Sequence, residues 1–142
     1  MADDGGSDFA RSMSIATSGL RAQAGRMRVI SENIANADST SPTAGGDPYR
    51  RKVPTFSSAL DRTLDAKVVT LGKVRTDQSA FRVKNEPGNP AADASGNVKY
   101  PNVNPLIEMT DMREAQRSYE ANLNIISATR RMIQRTLDIL KA

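Results

Sequence analysis

The chain has no cysteine, no histidine and no tryptophan among its 142 residues. The first absence excludes disulfides and thiolate nucleophiles, and the second excludes imidazole metal ligands and Ser-His-Asp chemistry. Without disulfides the redox compartment stays open. Aromatic residues supply only 4% of the sequence and apolar residues 38%. A core with so few rings is thin, so burial has to come largely from helix seams. No stretch has the apolar length of a transmembrane helix. Met1 to Asp8 is acidic and glycine-rich, the opposite of a cleaved secretory signal, so any export is expected to use a route without one. No GxxxxGK[ST] phosphate loop occurs. Asp93, Ser95 and Gly96 lack the ligand series and closing glutamate of a calcium loop. Asp61, Asp65, Asp77 and Glu86 are scattered through turn-like sequence and form no paired constellation, so neither catalysis, nor a cofactor, nor a metal is expected.

What the sequence does contain is two long stripes. From Asn104-Pro105 the chain runs to Leu140 without glycine or further proline. Asn104 suits the N-cap and Pro105 the first helical position. Met109, Met112, Tyr119, Leu123, Ile126, Ile133, Leu137 and Leu140 then recur in alternating steps of three and four, with Gln116 and Arg130 in the same stripe. That is a heptad seam, on a helix about 54 Å long at about 1.5 Å per residue. A small compact domain is hardly wider than half of that, so much of the seam needs a partner from elsewhere. Early acids (Glu108, Asp111, Glu114) and late bases (Arg130, Arg131, Arg135, Lys141) complement the helix dipole.

A second seam of the same period runs through Phe9, Met13, Ala16, Leu20, Met27, Ile30 and Ile34, with Gln23 filling one slot. Gly19 and Gly25 either lower its helicity or permit close helix approach. Arg11, Arg21, Arg26 and Arg28 read as a solvated face. Turn chemistry begins after Asn36, at Asp38-Ser39-Thr40-Ser41-Pro42 and Gly45-Gly46-Asp47-Pro48. Arg50-Arg51-Lys52 beside Tyr49 and Phe56 reads as a solvated loop in preference to an RNA platform. Ser57 to Leu64 reads as a short helix through Leu60 and Leu64. Strands are expected within Lys67–Thr76, around Phe81 and Val83, and around Val98 and Tyr100, with a turn at Pro87-Gly88-Asn89-Pro90.

The predicted fold is mainly α. Two long terminal helices form an antiparallel coiled-coil domain around a small β-rich or irregular central insertion. The expected segments are a disordered lead-in over 1–8, an N-terminal axial helix over 9–38, the central loop and insertion over 39–104, and a C-terminal axial helix over 105–142. The net charge of +4 and the arginine clusters motivate one alternative, a small basic helical nucleic-acid-binding protein. Its scarcity of aromatics weighs against it.

Several segments resemble one family. Ser31-Glu32-Asn33-Ile34-Ala35-Asn36-Ala37 resembles the motif that closes the N-terminal helix of flagellar rod and hook axial proteins. Pro48-Tyr49-Arg50-Arg51-Lys52-Val53, Asn85-Glu86-Pro87-Gly88-Asn89-Pro90 and Val98-Lys99-Tyr100-Pro101-Asn102-Val103-Asn104 are similar to the central signature of proximal rod members. Glu108-Met109-Thr110-Asp111-Met112 and Arg117-Ser118-Tyr119-Glu120-Ala121-Asn122 resemble the family's C-terminal helix. One departure is Pro54, where the family usually continues an extended apolar run, and it is expected to shorten that strand.

The resemblance implies a structural, non-catalytic subunit of the bacterial flagellar basal-body rod, helically assembled and transmitting motor torque. It implies Asn33, Ile34, Ala35 and Asn36 as an assembly motif, although Asn33 and Asn36 read equally well as plain helix-end residues. Met13, Leu20, Met27, Ile30, Tyr119, Leu123, Ile126, Ile133, Leu137 and Leu140 are the expected seam-packing residues. The implied partners are other copies of the chain, the proximal and distal rod proteins FlgB, FlgF and FlgG, the rod-base adaptor FliE, and the flagellar type III export apparatus. Neither nucleic acid binding nor membrane insertion is implied.

Overall fold

The computed structural model describes residues 4–142, with side chains from residue 6 onward. Helix α1 spans Asp4–Ala35. The expected lead-in is therefore corrected over 4–8, which is helical, whereas residues 1–3 lie outside the described part. Acidic residues in a first turn favour a helix start, because the orphan N–H groups there are partly positive. Asp8 sits inside the helix, 3.5 Å from Arg11 one turn on. At the other end the helix stops at Ala35, where the Asn36 N–H and carboxamide both donate to the Glu32 carbonyl, at 3.1 and 2.9 Å.

Helix α2 spans Pro105–Lys141. Asn104 caps it as expected, with Oδ1 accepting the Leu106 N–H at 3.1 Å. Between the helices lie six short strands, β1 (Lys52–Val53), β2 (Phe56–Asp61), β3 (Ala66–Leu71), β4 (Arg75–Thr76), β5 (Arg82–Asn85) and β6 (Asn97–Tyr100). They form three antiparallel two-stranded ladders, β1 with β4, β2 with β3 and β5 with β6. Pro54 ends β1 because it has no N–H for a ladder.

The helix expected over Ser57–Leu64 is strand and turn instead. Phe56 pairs with Leu71 and Asp61 with Ala66 across a continuous register. The run Val68-Val69-Thr70 is β-branched and prefers a pleated partner. Asp61 Oδ1 then accepts the Thr63 and Leu64 N–H groups, and Asp65 takes a left-handed φ of 46°, closing the turn.

The chain divides into two compact units. The first holds residues up to Arg26 together with Thr55–Lys73 and Glu114–Ala142. Here the β2–β3 hairpin lies on α1. The Val69 N–H donates to Ser18 Oγ at 3.1 Å, and Arg11 Nε donates to the Leu64 carbonyl at 2.7 Å. Gly19 faces Asn122 so closely that a Cβ would fall 2.7 Å from its carboxamide, and Arg26 lies 3.5 Å from Glu114. Gly19 is thus a close-approach residue. The buried residues of this unit are Ala16, Ala22, Ala66, Ala115 and Thr129. The second unit holds Met27–Pro54 and Val74–Arg113. It buries Val29, Ile30, Ala37, Ala91, Val98, Pro101 and Val103, together with the polar Asn33, Ser41 and Glu108.

The inward face of α2 is not the expected one. Met112, Tyr119, Ile126 and Ile133 are half-buried, and Leu140 at the end of the same column is exposed. The alternate column is turned: Glu108, Ala115 and Thr129 are buried and Asn122 is half-buried, while Met109, Leu123 and Leu137 are about half exposed. In the first unit the physical reason is the close approach of Gly19 to Asn122, which admits small or short side chains where a leucine would collide, whereas Glu108 in the second unit is held by Arg51 and Asn33. No helix among the described residues is long and apolar enough to cross a membrane.

Candidate functional site

The strongest concentration of specific contacts lies in the second unit, around Asn33. Asn33 is 0% exposed at the end of α1, and its carboxamide uses all four of its hydrogen-bonding positions. Nδ2 donates to the Lys52 carbonyl at 2.8 Å and to Glu108 Oε2 at 3.1 Å. Oδ1 accepts the Lys52 N–H at 2.9 Å and the Tyr49 hydroxyl at 2.8 Å. The side chain therefore pairs with Lys52 as a neighbouring strand would, from a helix. Asn102 does a similar job nearby: Oδ1 accepts the Arg51 N–H at 2.8 Å, and Nδ2 donates to Ser79 Oγ at 2.9 Å and the Asp77 carbonyl at 3.0 Å.

Glu108, in the first turn of α2, is also 0% exposed. A carboxylate buried alone is costly, and this one is neutralised by the Arg51 Nε that donates to Oε1. The same guanidinium reaches Asp77 and Asp111, each at 3.7 Å. The Ser79 backbone N–H, with its hydroxyl and the Arg51 charge in lesser roles, holds the Asp77 carboxyl below its usual range. Burial pushes the Tyr49 hydroxyl up to about 12, with the charges of Glu32 and Glu108 adding to it.

The basic run beside Tyr49 is engaged within the chain, which corrects the expectation of a solvated loop. The Arg50 guanidinium stacks 4.2 Å from the Phe81 ring centroid and donates to the Asp77 and Ser79 carbonyls. Arg51 holds Glu108, and Lys52 Nζ pairs with Glu32. The three cations of this run are thus engaged within the chain, while Phe56 stays exposed. No group of three metal-ligating side chains occurs among the described residues. Every polar atom of Asn33 is used internally, so this side chain fastens the end of α1 to Lys52, Tyr49 and Glu108.

The other predicted residues are spread along the helices. Ile34 and Asn36 are half-buried and Ala35 is exposed. Met13 and Leu20 are half-buried in the first unit, Met27 half-buried and Ile30 buried in the second. Tyr119, Ile126 and Ile133 are half-buried, whereas Leu123, Leu137 and Leu140 are exposed at 46%, 45% and 77%. Reading the sequence missed Glu108, Arg51, Tyr49 and Asn102 as a cluster. Its one available signal is a carboxylate one position off the apolar column of α2, with an arginine run in need of a partner.

Two protein-family models match these regions. "Flagella basal body rod protein" covers residues 13–41, which include Asn33, and "Flagellar basal body rod FlgEFG protein C-terminal" covers residues 94–139, which include Glu108. The chain is 56% identical to the flagellar basal-body rod protein FlgC of Agrobacterium fabrum, over 90% of this chain and 92% of that relative. It is 38% identical to FlgC of Bacillus subtilis, over 92% and 97% of the two chains. It is 40% identical to FlgC of Salmonella typhimurium, over 88% and 92%.

Two outcomes follow from this geometry. Arg51→Met leaves Glu108 without its counter-charge and should cost about 3 kcal/mol in urea unfolding, much of which Glu108→Leu added to Arg51→Met should recover. An unchanged midpoint for the single variant would contradict the fastening role. The raised Tyr49 pKa stabilises the fold fully below its ordinary value of 10.0, and that contribution disappears as pH rises through about 12. A tyrosinate absorbance titration should show a late step that shrinks in Tyr49→Phe.

Proposed function

This chain belongs to the FlgC family of flagellar basal-body rod proteins, structural components of the flagellar basal body that serves motility, and from that premise we propose that it packs helically through α1 and α2 into the proximal rod and passes motor torque toward the hook. The observation that carries this reading is a mismatch in the first unit. Its buried residues are four alanines and a threonine, while Leu123, Ile125, Met132, Leu137, Ile139 and Leu140 remain exposed at 45–77%. Each aliphatic side chain gains about 1.5–3 kcal/mol when fully removed from water. Six such side chains on one helix are a large reserve that only an assembly can use.

Two contacts between the helices in this unit, Gly19 with Asn122 and Arg26 with Glu114, climb α1 while descending α2. This supports an antiparallel coiled-coil pairing as the core of the subunit. Successive residues turn about 100° around a helix, so Leu123 and Leu137 lie on one flank of the packed column and Ile125, Met132 and Ile139 on the other. Two different sticky flanks favour heterologous contacts, which repeat into a helix instead of closing a dimer. Rigidity under torque then comes from many helix contacts, with no catalytic residue involved.

The partners we propose are further copies of the chain, FlgB, FlgF, FlgG and FliE, with delivery by the flagellar type III export apparatus and final placement in the periplasm-spanning part of the rod. Asn33, Ile34, Ala35 and Asn36 serve assembly indirectly, by fixing where α1 ends. The nucleic-acid alternative has no support among the relatives.

Leu137→Asp separates assembly from folding. Leu137 is exposed in the single chain, so the substitution should change unfolding stability by no more than about 0.5 kcal/mol. It should nevertheless block incorporation into basal bodies and abolish swimming in soft agar. Normal swimming would remove this seam as an assembly surface.

A further inference from the structure

A groove of about 500 Å3 runs along the first unit between α1 and the β2–β3 hairpin. Met13, Thr17 and Arg21 line its helix wall, and Asp61, Val69 and Leu71 its hairpin wall. Val69 is 39% exposed there. The groove carries one charge of each sign. Arg21 has no ion pair among the described residues, and Asp61 uses only Oδ1, for the Thr63 and Leu64 N–H groups, leaving Oδ2 open.

The same chain carries a stripe of matching chemistry. Ile125, Ala128, Met132, Arg135 and Ile139 recur at steps of three and four on α2, which is a second heptad seam. Large and small side chains alternate along it up to Met132, as knobs require. Ile125, Met132 and Ile139 are exposed at 47%, 57% and 76%. Arg135, the single charge in the stripe, is exposed and has no ion pair among the described residues. The stripe lies beside the packed column of α2, so it is free to meet another molecule while the subunit stays folded.

We propose that this stripe of one copy seats in the α1–hairpin groove of the next copy, with Ile125, Met132 and Ile139 as knobs and Arg135 against Asp61. The proposal rests on the rod-subunit reading above and goes beyond it by naming donor and acceptor surfaces. The groove sets apolar Met13, Val69 and Leu71 among hydroxyl side chains and one open carboxylate oxygen, and the stripe has apolar knobs around one cation without an ion pair among the described residues. Donor and acceptor are different faces of one chain, so the contact propagates head to tail and does not close on itself.

The absence of native cysteine makes the test direct. The double variant Thr17→Cys with Met132→Cys is expressed in a motile host lacking its own copy of the gene. Basal bodies are purified and mildly oxidised, and the products are separated without reductant and identified by mass spectrometry. Dimers and longer ladders of this chain are expected for the pair. None are expected for either single variant, nor for Thr17→Cys with Leu137→Cys on the opposite flank. Oxidised basal bodies that contain the double variant only as monomer, or joined to a different rod protein, overturn the proposal while leaving the rod-subunit reading intact.

A charge exchange decides the matter where the cysteine pair fails to incorporate. Asp61→Arg and Arg135→Asp should each lower incorporation several-fold, and their combination should restore at least half of it. A loss that the combination does not repair overturns the pairing. Absence of the unmodified chain from basal bodies would instead count against the rod-subunit reading itself.

Discussion

A helix can turn only part of its circumference toward any one neighbour, a stripe somewhat more than 100° wide in an ordinary soluble protein. Along much of its length α2 carries apolar side chains around much more than that. Met112, Tyr119, Ile126 and Ile133 lie half-buried, and apolar residues flank this column on both sides. The hairpin that shares its unit has Phe56, Leu60 and Val69 exposed as well. Apolar surface in this amount, carried by a unit whose own core is alanine and threonine, favours a molecule completed by its neighbours. The physical logic of a rod subunit follows from that excess.

The second unit is built on the opposite principle. Its core is conventional, with Val29, Ile30, Val98 and Val103 buried, and it is pinned by a polar cluster with every member paired. Buried ionic groups contribute little net stability compared with a well-packed apolar core, but they penalise any alternative arrangement that separates the partners. Asn33 binds the backbone of Lys52 in both directions, and Arg51 holds Glu108. The end of α1, the β1 strand and the start of α2 are thereby held in one register. A structural rod subunit gains from such a fixed junction, because an interface made of apolar contacts alone can slide.

Much of the helical part was legible in the sequence because its signals are local. Asn104 capping α2, the turn chemistry after Asn36 and the three-four spacing of Phe9 through Ile34 all depend on residues within a turn or two. The strands were legible where β-branched residues clustered, at Val68-Val69-Thr70, and illegible at Ser57–Leu64. There Leu60 and Leu64 mimic one helical face, and only pairing with β3 decides the outcome. The turned column of α2 was hidden for a related reason. Heptad spacing gives the period of the seam, whereas which column faces inward depends on Gly19 opposite Asn122, far away in sequence. The polar cluster was the least legible part: Asn33 meets Glu108 across 75 positions, and no local pattern encodes that meeting. The family resemblance pointed to the right segments without revealing what their side chains do.

The central claim is that the exposed flanks of α2 are unfinished interfaces. Imaging purified basal bodies at side-chain resolution tests it most directly. The account predicts that Leu123 and Leu137 on one flank, and Ile125, Met132 and Ile139 on the other, are each buried against neighbouring subunits in the rod. Finding both flanks facing solvent or open lumen in the assembled rod would contradict it.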